Sequence, residues 1–367
     1  MWGYRRSLFT GGGQSKKIEL MTNKKNILVT GGLGFIGSHT VLCLHEAGYC
    51  PIIIDNLHNS RMEVLDALTE LLGFRPAFIE GDVNDRQLLD SLFLQYEFDA
   101  VIHFAAHKAV GESVEQPLMY YRNNVVGLVS LLESMQKAGC NRLVFSSSCT
   151  VYGEPESVPV KESTPTRPAA SPYGATKQMA EVILKDNGWC SIQCLRYFNP
   201  VGAHPTAKIG ELPLGVPNNL IPFLTQTVAG IREKLTVYGG DYNTADGTCI
   251  RDYIHVMDLA DAHVSAIDRL FLDNKLTPET LGDPSKDHFE VFNIGTGVGY
   301  SVLEVINAFE GTTGERVNYT IGERRAGDVV AVWADTEKVN AVLGWTAKRN
   351  LETMMRDAWN WQKSCQS

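Results

Sequence analysis

The sequence lacks the features of a membrane protein, a metalloenzyme and a nucleic-acid binder. No run of 18 or more apolar residues is present, so no membrane-spanning helix is predicted. No CxxC pair occurs, and the nine histidines show neither HxH nor HExxH spacing, which predicts no metal site. Lys and Arg number 33 against 42 Asp and Glu, a formal net charge of −9, whereas nucleic-acid phosphates attract basic surfaces. We therefore expect no membrane, metal or nucleic-acid partner.

The sequence also lacks a cluster of cysteines and a secretory signal. The eight cysteines are spread along the chain, which favours reduced thiols in a cytoplasmic protein. Cys190 and Cys194 lie in the strand-like run WCSIQCLRYF and are expected to be packing residues. Residues 1–24 lack the apolar core of a secretory signal, and we expect them to be a disordered leader. The polar stretch 273–288 is expected to be a surface loop.

Strand-like and helix-like segments alternate from Asn26 onward, in a chain whose 44% hydrophobic content allows a sizeable core. This alternation predicts an α/β fold, a Rossmann-type doubly wound parallel sheet covered by helices on both faces. After Pro200 the sequence becomes rich in Pro and Gly, and mixed elements follow. We predict a dinucleotide-binding domain over 25–199 and a smaller mixed α/β substrate domain over 200–367, and leave open whether their segments interleave. The predicted strands are 26–32, 49–55, 76–83, 100–106, 142–148 and 191–199, and the predicted helices are 35–47, 61–72, 85–96, about 113–138 and 172–186.

A glycine-rich turn, TGGLGFIGSH, follows the first predicted strand. Gly31 allows a tight turn, Gly34 lets the backbone approach a pyrophosphate, and Gly37 lets the following helix pack closely on the strand. Glycines also mark ordinary turns, but a preceding strand and a following helix are the context of a dinucleotide fingerprint. The turn therefore predicts phosphate binding at the helix N-terminus.

Two aspartates at strand ends are candidates for the adenosine half of the cofactor. Asp55 ends the second strand, where a carboxylate accepts hydrogen bonds from a ribose and repels a 2′-phosphate, which favours NAD over NADP. The alternative is that Asp55 only starts the turn DNL. Asp82, after the third strand, is either an acceptor for the adenine amino group or a helix N-cap.

The stretch SPYGATK predicts the start of a helix with Tyr173 and Lys177 on one face. The ordinary pKa of a phenol is about 10, so Tyr173 needs a shift of roughly 3 units to act as a base near neutral pH. A nearby ammonium, a positive nicotinamide ring and the helix N-terminus all lower that pKa. YxxxK also occurs by chance in helices. The glycine turn upstream and the serine-rich strand end SSSCTVYG, with Ser148 as a partner for a substrate hydroxyl, favour the catalytic interpretation.

The motifs together resemble the extended short-chain dehydrogenase/reductases, and among them the UDP-hexose 4-epimerases. The resemblance runs from about Lys25 to about Lys363. It implies a Rossmann-type NAD domain, a C-terminal nucleotide-sugar domain and a homodimer. The motifs that carry it are VTGGLGFIGSHT, DNLHNS, HFAAHKAVGESV, YYRNNVVG, SSSCTVYG, SPYGATK, LRYFNPVGAH, GVPNNL, GTCIRDYIHVMDLA and ERRAGD.

The family's functional residues carry over to matching positions of this chain. The resemblance implies Ser148, Tyr173 and Lys177 as the catalytic residues, with Tyr173 moving the proton of the sugar 4-hydroxyl while bound NAD takes and returns the C4 hydride through a 4-keto sugar. The implied NAD contacts, besides the glycine turn, Tyr173 and Lys177, are Phe35, Ile36, Asp55, Asn56, Asp82, Val83, Phe104, Ala105, Lys108 and Asn123. The implied UDP-hexose contacts, besides Ser148 and Tyr173, are Asn199, Asn219, Arg251, Arg325, Asp328 and Val332.

Some of these assignments have alternatives. Arg251 and Arg325 suit a diphosphate, or they form surface salt bridges with Asp252 and Asp328. At Val332 some family members have a bulky Tyr, so the smaller side chain predicts room for the N-acetyl group of UDP-GalNAc or UDP-GlcNAc, unless neighbouring side chains fill the gap.

Two other functions compete with epimerisation. A nucleotide-sugar dehydratase or decarboxylase of this superfamily would show acidic residues where Cys149 and Thr150 stand. A non-catalytic NAD sensor on the same fold has no need of Ser148, Tyr173 and Lys177 together.

Overall fold

The computed structural model describes residues 24–272, 288–325 and 327–366. The predicted leader, except Lys24, and the predicted loop 273–288, except His288, lie outside the described residues. The strands are β1 Asn26–Thr30, β2 Cys50–Asp55, β3 Ala77–Glu80, β4 Ala100–His103, β5 Arg142–Ser148, β6 Ser191–Tyr197, β7 Asn199–Val201, β8 Leu235–Tyr238, β9 Ile250–His255, β10 Phe289–Ile294, β11 Gly299–Ser301, β12 Tyr319–Gly322 and β13 Ala331–Val332. The α-helices are α1 Phe35–Glu46, α2 Met62–Leu72, α3 Arg86–Tyr96, α4 Val110–Glu115, α5 Pro117–Tyr120, α6 Gly127–Ala138, α7 Pro172–Asp186, α8 Leu220–Val228, α9 Val256–Leu272, α10 Val302–Thr313, α11 Glu337–Leu343 and α12 Leu351–Ser364.

The main sheet has seven parallel strands in the order β10-β6-β5-β4-β1-β2-β3. The predicted doubly wound α/β fold is thereby confirmed. The strand order reverses between β1 and β4, and ligands of such folds bind at the carboxyl ends of the strands at this switch point. All six predicted strands are present, and the seventh, β10, comes from the second half of the chain.

Alternate side chains of the sheet enter two separate cores. Ile27 and Val29 of β1 pack with α1, α2 and α9 on one face, whereas Leu28 packs with α3, α6 and α7 on the other. This alternation is the two-residue period of a strand buried on both faces. Cys190 and Cys194 are buried in the second core, so their predicted packing role is confirmed.

The remaining elements form a smaller unit beside the carboxyl edge of the sheet. Strand β9 pairs with β7, β11 and β13, and β8 pairs with β12. Helices α8, α10 and α12 close a core around these strands that includes Leu224, Val237, Phe309 and Met355. Because α9 and β10 pack with the main sheet, the chain after residue 200 contributes to both units.

The segment predicted as one helix over about 113–138 is instead divided. Gln116 has φ −129° and ψ 59°, and Pro117 begins the next short helix, because a residue before proline avoids the helical region. A π-helical turn, Tyr121–Val126, then leads into α6. This turn places Asn124 inward, where its amide donates to the His107 carbonyl oxygen and the Thr176 hydroxyl.

Candidate active site

The glycine turn joins β1 to α1 at the switch point. Gly31 has φ +70°, and a Cβ there would lie 2.9 Å from the Ala105 backbone nitrogen. A Cβ at Gly37 would overlap the Gly31 carbonyl oxygen, so only glycine allows α1 to start this close to the strand. Gly34 is the N-cap and has no side chain to cap the helix, which leaves first-turn N–H groups, including those of Phe35 and Ile36, for an anion. These features fit the pyrophosphate of a dinucleotide.

The candidates for the adenosine half lie together beyond this turn. Asp55 accepts hydrogen bonds from the backbone N–H of Leu33 at 3.0 Å and from the Ser60 hydroxyl at 2.7 Å. Asn56 donates to Asp82 at 3.0 Å, which brings the ends of β2 and β3 into one cluster. Ionised carboxylates have about four acceptor positions, so both aspartates keep capacity for a ligand.

Asp82 is not the N-cap of α3. That position is taken by Asp85, whose carboxylate accepts from the backbone N–H of Leu88 at 3.0 Å. Burial raises the pKa of Asp82, but hydrogen bonds from Asn84 and Asn56 outweigh it and leave the pKa below its ordinary value. Val83, the next residue, is buried. The N-cap alternative is therefore wrong, and Asp82 is an ionised acceptor at the strand end.

The loop after β4 lies opposite the glycine turn. Phe104 packs its ring on His263, and the backbone N–H of Ala105 donates to the Thr30 hydroxyl at 3.3 Å. Asn123, in the π-helical turn, donates to the Asn124 side chain at 3.0 Å. Lys108 extends away from this loop to Glu211 at 3.1 Å, on the other side of the cleft. Of the predicted NAD contacts, Phe104 and Ala105 therefore lie beside the glycine turn through their backbone.

The end of β5 and the start of α7 bring the three predicted catalytic residues together. Ser171 caps α7 by accepting from the backbone N–H of Gly174 at 3.2 Å, which fixes the helix start. The side chains of Ser148 and Tyr173 lie close enough for Ser148 to lower the pKa of the Tyr173 phenol. The Lys177 ammonium donates to the Ser146 carbonyl oxygen at 2.7 Å and lies 5.9 Å from the Tyr173 ring centroid.

The sequence predicts a lowered pKa for Tyr173, whereas the structure gives a raised one. Burial raises the pKa of Tyr173 to about 12, although the nearby Ser148 side chain lowers it. Burial also lowers the pKa of Lys177 to about 8. The protein alone therefore keeps Tyr173 protonated at neutral pH, and the cationic groups must overcome the effect of burial.

Three predicted substrate residues are grouped in the smaller unit. Arg325 binds the Asp328 carboxylate with two nitrogens at 2.8 and 3.2 Å, and Arg251 lies 3.6 Å from the same carboxylate. Two guanidinium groups and one carboxylate leave one net positive charge, which suits an anion. Arg251 does not pair with Asp252, whose carboxylate instead binds the backbone N–H groups of residues 296, 297 and 334, so that salt-bridge alternative is wrong.

Three other predicted substrate residues come from β7, α8 and β13. Asn199 opens β7, two residues after β6 ends, and Asn219 is the N-cap of α8. Val332 is only 4% exposed and packs in an apolar cluster that includes Cys149 and Phe198. It pairs with Arg251 in the sheet, which places the apolar cluster beside the cationic group.

Two polar residues of the site, Thr150 and Glu211, were not predicted as site residues from the sequence. The Thr150 hydroxyl is buried and has no partner within residues 24–272, 288–325 and 327–366, although its backbone N–H donates to Ser148 at 3.2 Å. Its position two residues after Ser148 could have indicated a site residue, because Ser148 ends β5 and Thr150 follows that strand end. Glu211 carried no such signal, since its partners Lys108 and Asn219 come from different elements.

The structure also bears on metals and membranes. In the part of the chain that the structure describes, no three His, Cys, Asp or Glu side chains are grouped to hold a metal ion. No helix in the same residues is long and apolar enough to cross a bilayer.

Comparison with known proteins decides the family. The family model described as GDP-mannose 4,6 dehydratase matches residues 28–358. UDP-glucose 4-epimerase from Yersinia enterocolitica is 51% identical over 342 residues, which cover 92% of this chain and 97% of that protein. This chain belongs to the UDP-glucose 4-epimerase family. The resemblance inferred from its motifs is confirmed.

Solved structures of the UDP-glucose 4-epimerase family share the fold over nearly the whole chain. The Stenotrophomonas maltophila enzyme with bound NAD and formylated UDP-arabinopyranose has a TM-score of 0.87 and 45% identity, and the match covers 93% of this chain and 99% of that one. The Bifidobacterium longum enzyme in complex with NAD+ and UDP has a TM-score of 0.86 and 43% identity, with 93% and 98% coverage.

Proposed function

We propose that this protein interconverts UDP-galactose and UDP-glucose at sugar C4, as an NAD-dependent epimerase. The observation that carries the proposal is the convergence of Ser148, Tyr173 and Lys177 at the carboxyl edge of the sheet. The glycine turn follows β1 at the same edge, and the smaller unit groups two guanidinium groups around one carboxylate. The 51% identity to a curated UDP-glucose 4-epimerase supports the same substrate class.

Tyr173 is the proposed acid and base. As a phenolate it removes the proton of the sugar 4-hydroxyl, and as a phenol it returns that proton after the sugar has turned over. When bound, NAD supplies the acceptor and donor of the C4 hydride, so the sugar passes through a 4-keto form. Ser148 shares a hydrogen bond with the reacting hydroxyl. One residue can serve both steps because the proton that it accepts in one direction is the proton that it donates in the other.

Lys177 is proposed to favour the phenolate. Its pKa of about 8 leaves it mostly protonated at pH 7, and it lies on the same helix face as Tyr173. A positive charge in a buried site stabilises a nearby anion more than in water. The positive nicotinamide ring acts in the same direction when NAD is bound.

The UDP half is proposed to stay anchored while the sugar turns. Arg251 and Arg325 present guanidinium groups that suit bidentate contacts to phosphate oxygens. Asp328 orients both groups and remains an acceptor for a ribose hydroxyl. Asn199 and Asn219 add amides on the sugar and diphosphate sides of the same space. Such anchoring lets the 4-keto sugar expose its other face without leaving the cleft.

Proton NMR of the purified protein with UDP-galactose, without added cofactor, tests the proposal. We expect UDP-glucose to form to a stable equilibrium, because NAD is regenerated in each cycle and stays bound. Tyr173→Phe is the matched control, since it removes one oxygen and should abolish turnover. An unchanged sugar spectrum, even after NAD is added, would contradict the epimerase assignment.

We also propose activity on the N-acetylated pair UDP-GalNAc and UDP-GlcNAc. Val332 supports it, because a Val leaves more space than a Tyr at this point of the cleft. Its burial in an apolar cluster with Cys149 limits how much of that space is free. Turnover of UDP-GalNAc by the wild type and its loss in Val332→Tyr, with UDP-galactose turnover retained, is the expected result. A wild type that does not convert UDP-GalNAc would remove this part of the proposal.

A homodimer is proposed from an apolar face on two adjacent helical segments. Val126 and Val129 are exposed at 51% and 37%, and Met179 and Val182 of α7 are exposed at 46% and 59%. Each pair is three residues apart, so it lies on one helix face. A second copy of the chain, packed through the same face about a two-fold axis, would bury all four. Sedimentation should show a dimer for the wild type and a monomer for Val182→Glu, and a monomeric wild type would contradict it.

A further inference from the structure

Glu211 joins two residues that the family resemblance assigns to ligand binding. Its Oε1 accepts from the Lys108 ammonium at 3.1 Å and from the Asn219 amide Nδ2 at 2.9 Å. Lys108 belongs to the loop after β4, whereas Asn219 begins α8 in the smaller unit. One carboxylate oxygen therefore connects the two sides of the cleft.

Glu211 is itself held firmly. Its side chain is only 10% exposed, and its backbone carbonyl accepts from the Trp361 indole N–H at 2.9 Å. The preceding Gly210 packs directly against the Trp361 ring, where a Cβ would overlap it. The carboxylate is thus presented from a fixed backbone, so placing it between its two partners costs little additional backbone entropy.

The contact determines which way the Asn219 amide faces. Asparagine at an N-cap usually accepts from the first turn of its helix, but Asn219 makes no such bond. Its Nδ2 points to Glu211, because the opposite orientation would set its carbonyl oxygen against a carboxylate. An amide nitrogen carries two hydrogens, so the second remains available to a ligand acceptor.

We infer that Glu211 is a positioning residue for the nucleotide diphosphate, which fixes the Asn219 amide with a free N–H toward the cleft and holds Lys108 beside it. The inference rests on the proposed function, because it needs a diphosphate at Asn219. Both hydrogen bonds end on one oxygen atom, so a neutral glutamine can accept both through its own Oε1. The role is therefore one of hydrogen-bond geometry rather than of charge.

Calorimetric titration with UDP and steady-state kinetics with UDP-galactose test this. Glu211→Met keeps length and bulk but removes the acceptor, and Glu211→Ala is the second deletion should the first not fold. Either should raise the Kd of UDP and the KM about tenfold, the effect of losing about one hydrogen bond, with kcat within about twofold of the wild type. Glu211→Gln should restore both values to within about threefold.

Glu70→Ala is the matched control. The Lys208–Glu70 ion pair links the 204–211 segment, which contains Glu211, to α2. Glu70→Ala therefore breaks an ion pair of that segment without removing either hydrogen bond of Glu211. Its Kd for UDP should equal that of the wild type. Equal losses in Glu211→Met and Glu211→Gln, or a fall in kcat with unchanged KM, would overturn the positioning role. A wild type that does not bind UDP would instead overturn the proposed substrate, and this inference with it.

Discussion

At the scale of single residues, Lys177 is the group whose charge the proposed chemistry needs most. Burial is the main cause that raises the pKa of Tyr173 to about 12, and the Lys177 ammonium is the cation on the same face of α7 as Tyr173. We expect Lys177→Met to lower kcat at least about 100-fold, with little change in KM, because the phenolate loses its stabilising charge. Steady-state rates between about pH 6 and 9 check this, and the variant's rate should rise towards high pH as Tyr173 ionises unaided.

Lys185→Met is the control for that experiment. Lys185 lies two turns further along α7 and is exposed, so its removal changes the net charge equally but leaves the site intact. Loss of activity in both variants would assign the effect to helix stability rather than to the phenolate.

Spacing within one helix predicted the Tyr173–Lys177 pair, because the helical period alone places them on one face. It could not predict the pKa of Tyr173, since burial depends on every element that covers the site. The Lys108–Glu211 contact could not be predicted from the sequence either, because its partners are 103 residues apart and neither residue type is unusual in a loop.

At the scale of elements, local signals predicted most strands and helices, and long-range pairing explains the strand of the main sheet that was not predicted. Five predicted helices begin with recognisable caps or follow buried strands, but the fourth is divided at Pro117. Strand β10 was not predicted, because its place in the main sheet depends on pairing with β6. Phe289 lies opposite Ile192, which precedes it by almost a hundred residues in the chain. No local pattern distinguishes such a strand from one of the smaller sheets.

Helix α7, which carries Tyr173 and Lys177, is fixed to the sheet by a buried ion pair. Arg196 of β6 donates to both carboxylate oxygens of Glu181 at 3.0 and 2.6 Å, and the Ser147 hydroxyl donates to the same carboxylate at 2.5 Å. We expect Glu181→Gln to lower the free energy of unfolding by about 3 kcal/mol, because it leaves the Arg196 charge buried without its partner. Urea unfolding measures the change.

The exposed pair between Arg75 and Asp66 provides the comparison. Both side chains are more than half exposed, so Asp66→Asn should cost less than about 1 kcal/mol. Equal losses in the two variants would show that the buried pair holds α7 no more firmly than a solvated one.

At the scale of the whole molecule, three histidines link stability to pH. His39, His103 and His263 are fully buried, on α1, β4 and α9, and burial lowers their pKa values to about 3, 3 and 4. In the unfolded chain each would titrate near 6.5. As pH falls below about 6.5, the unfolded state therefore binds protons that the folded state cannot, and stability decreases by up to about 1.4 kcal/mol per pH unit for each histidine.

Urea unfolding at about pH 7.5, 6.5 and 5.5 measures this slope above the range in which most carboxylates titrate. The free energy of unfolding should change little over the upper interval and fall steeply over the lower one. His103→Asn keeps a polar group for the Thr30 hydroxyl, which lies 2.8 Å from His103 Nδ1, and should reduce the slope because one of the three fully buried histidines is gone. Equal unfolding free energies at the highest and lowest pH would mean that these histidines are not kept neutral by the fold.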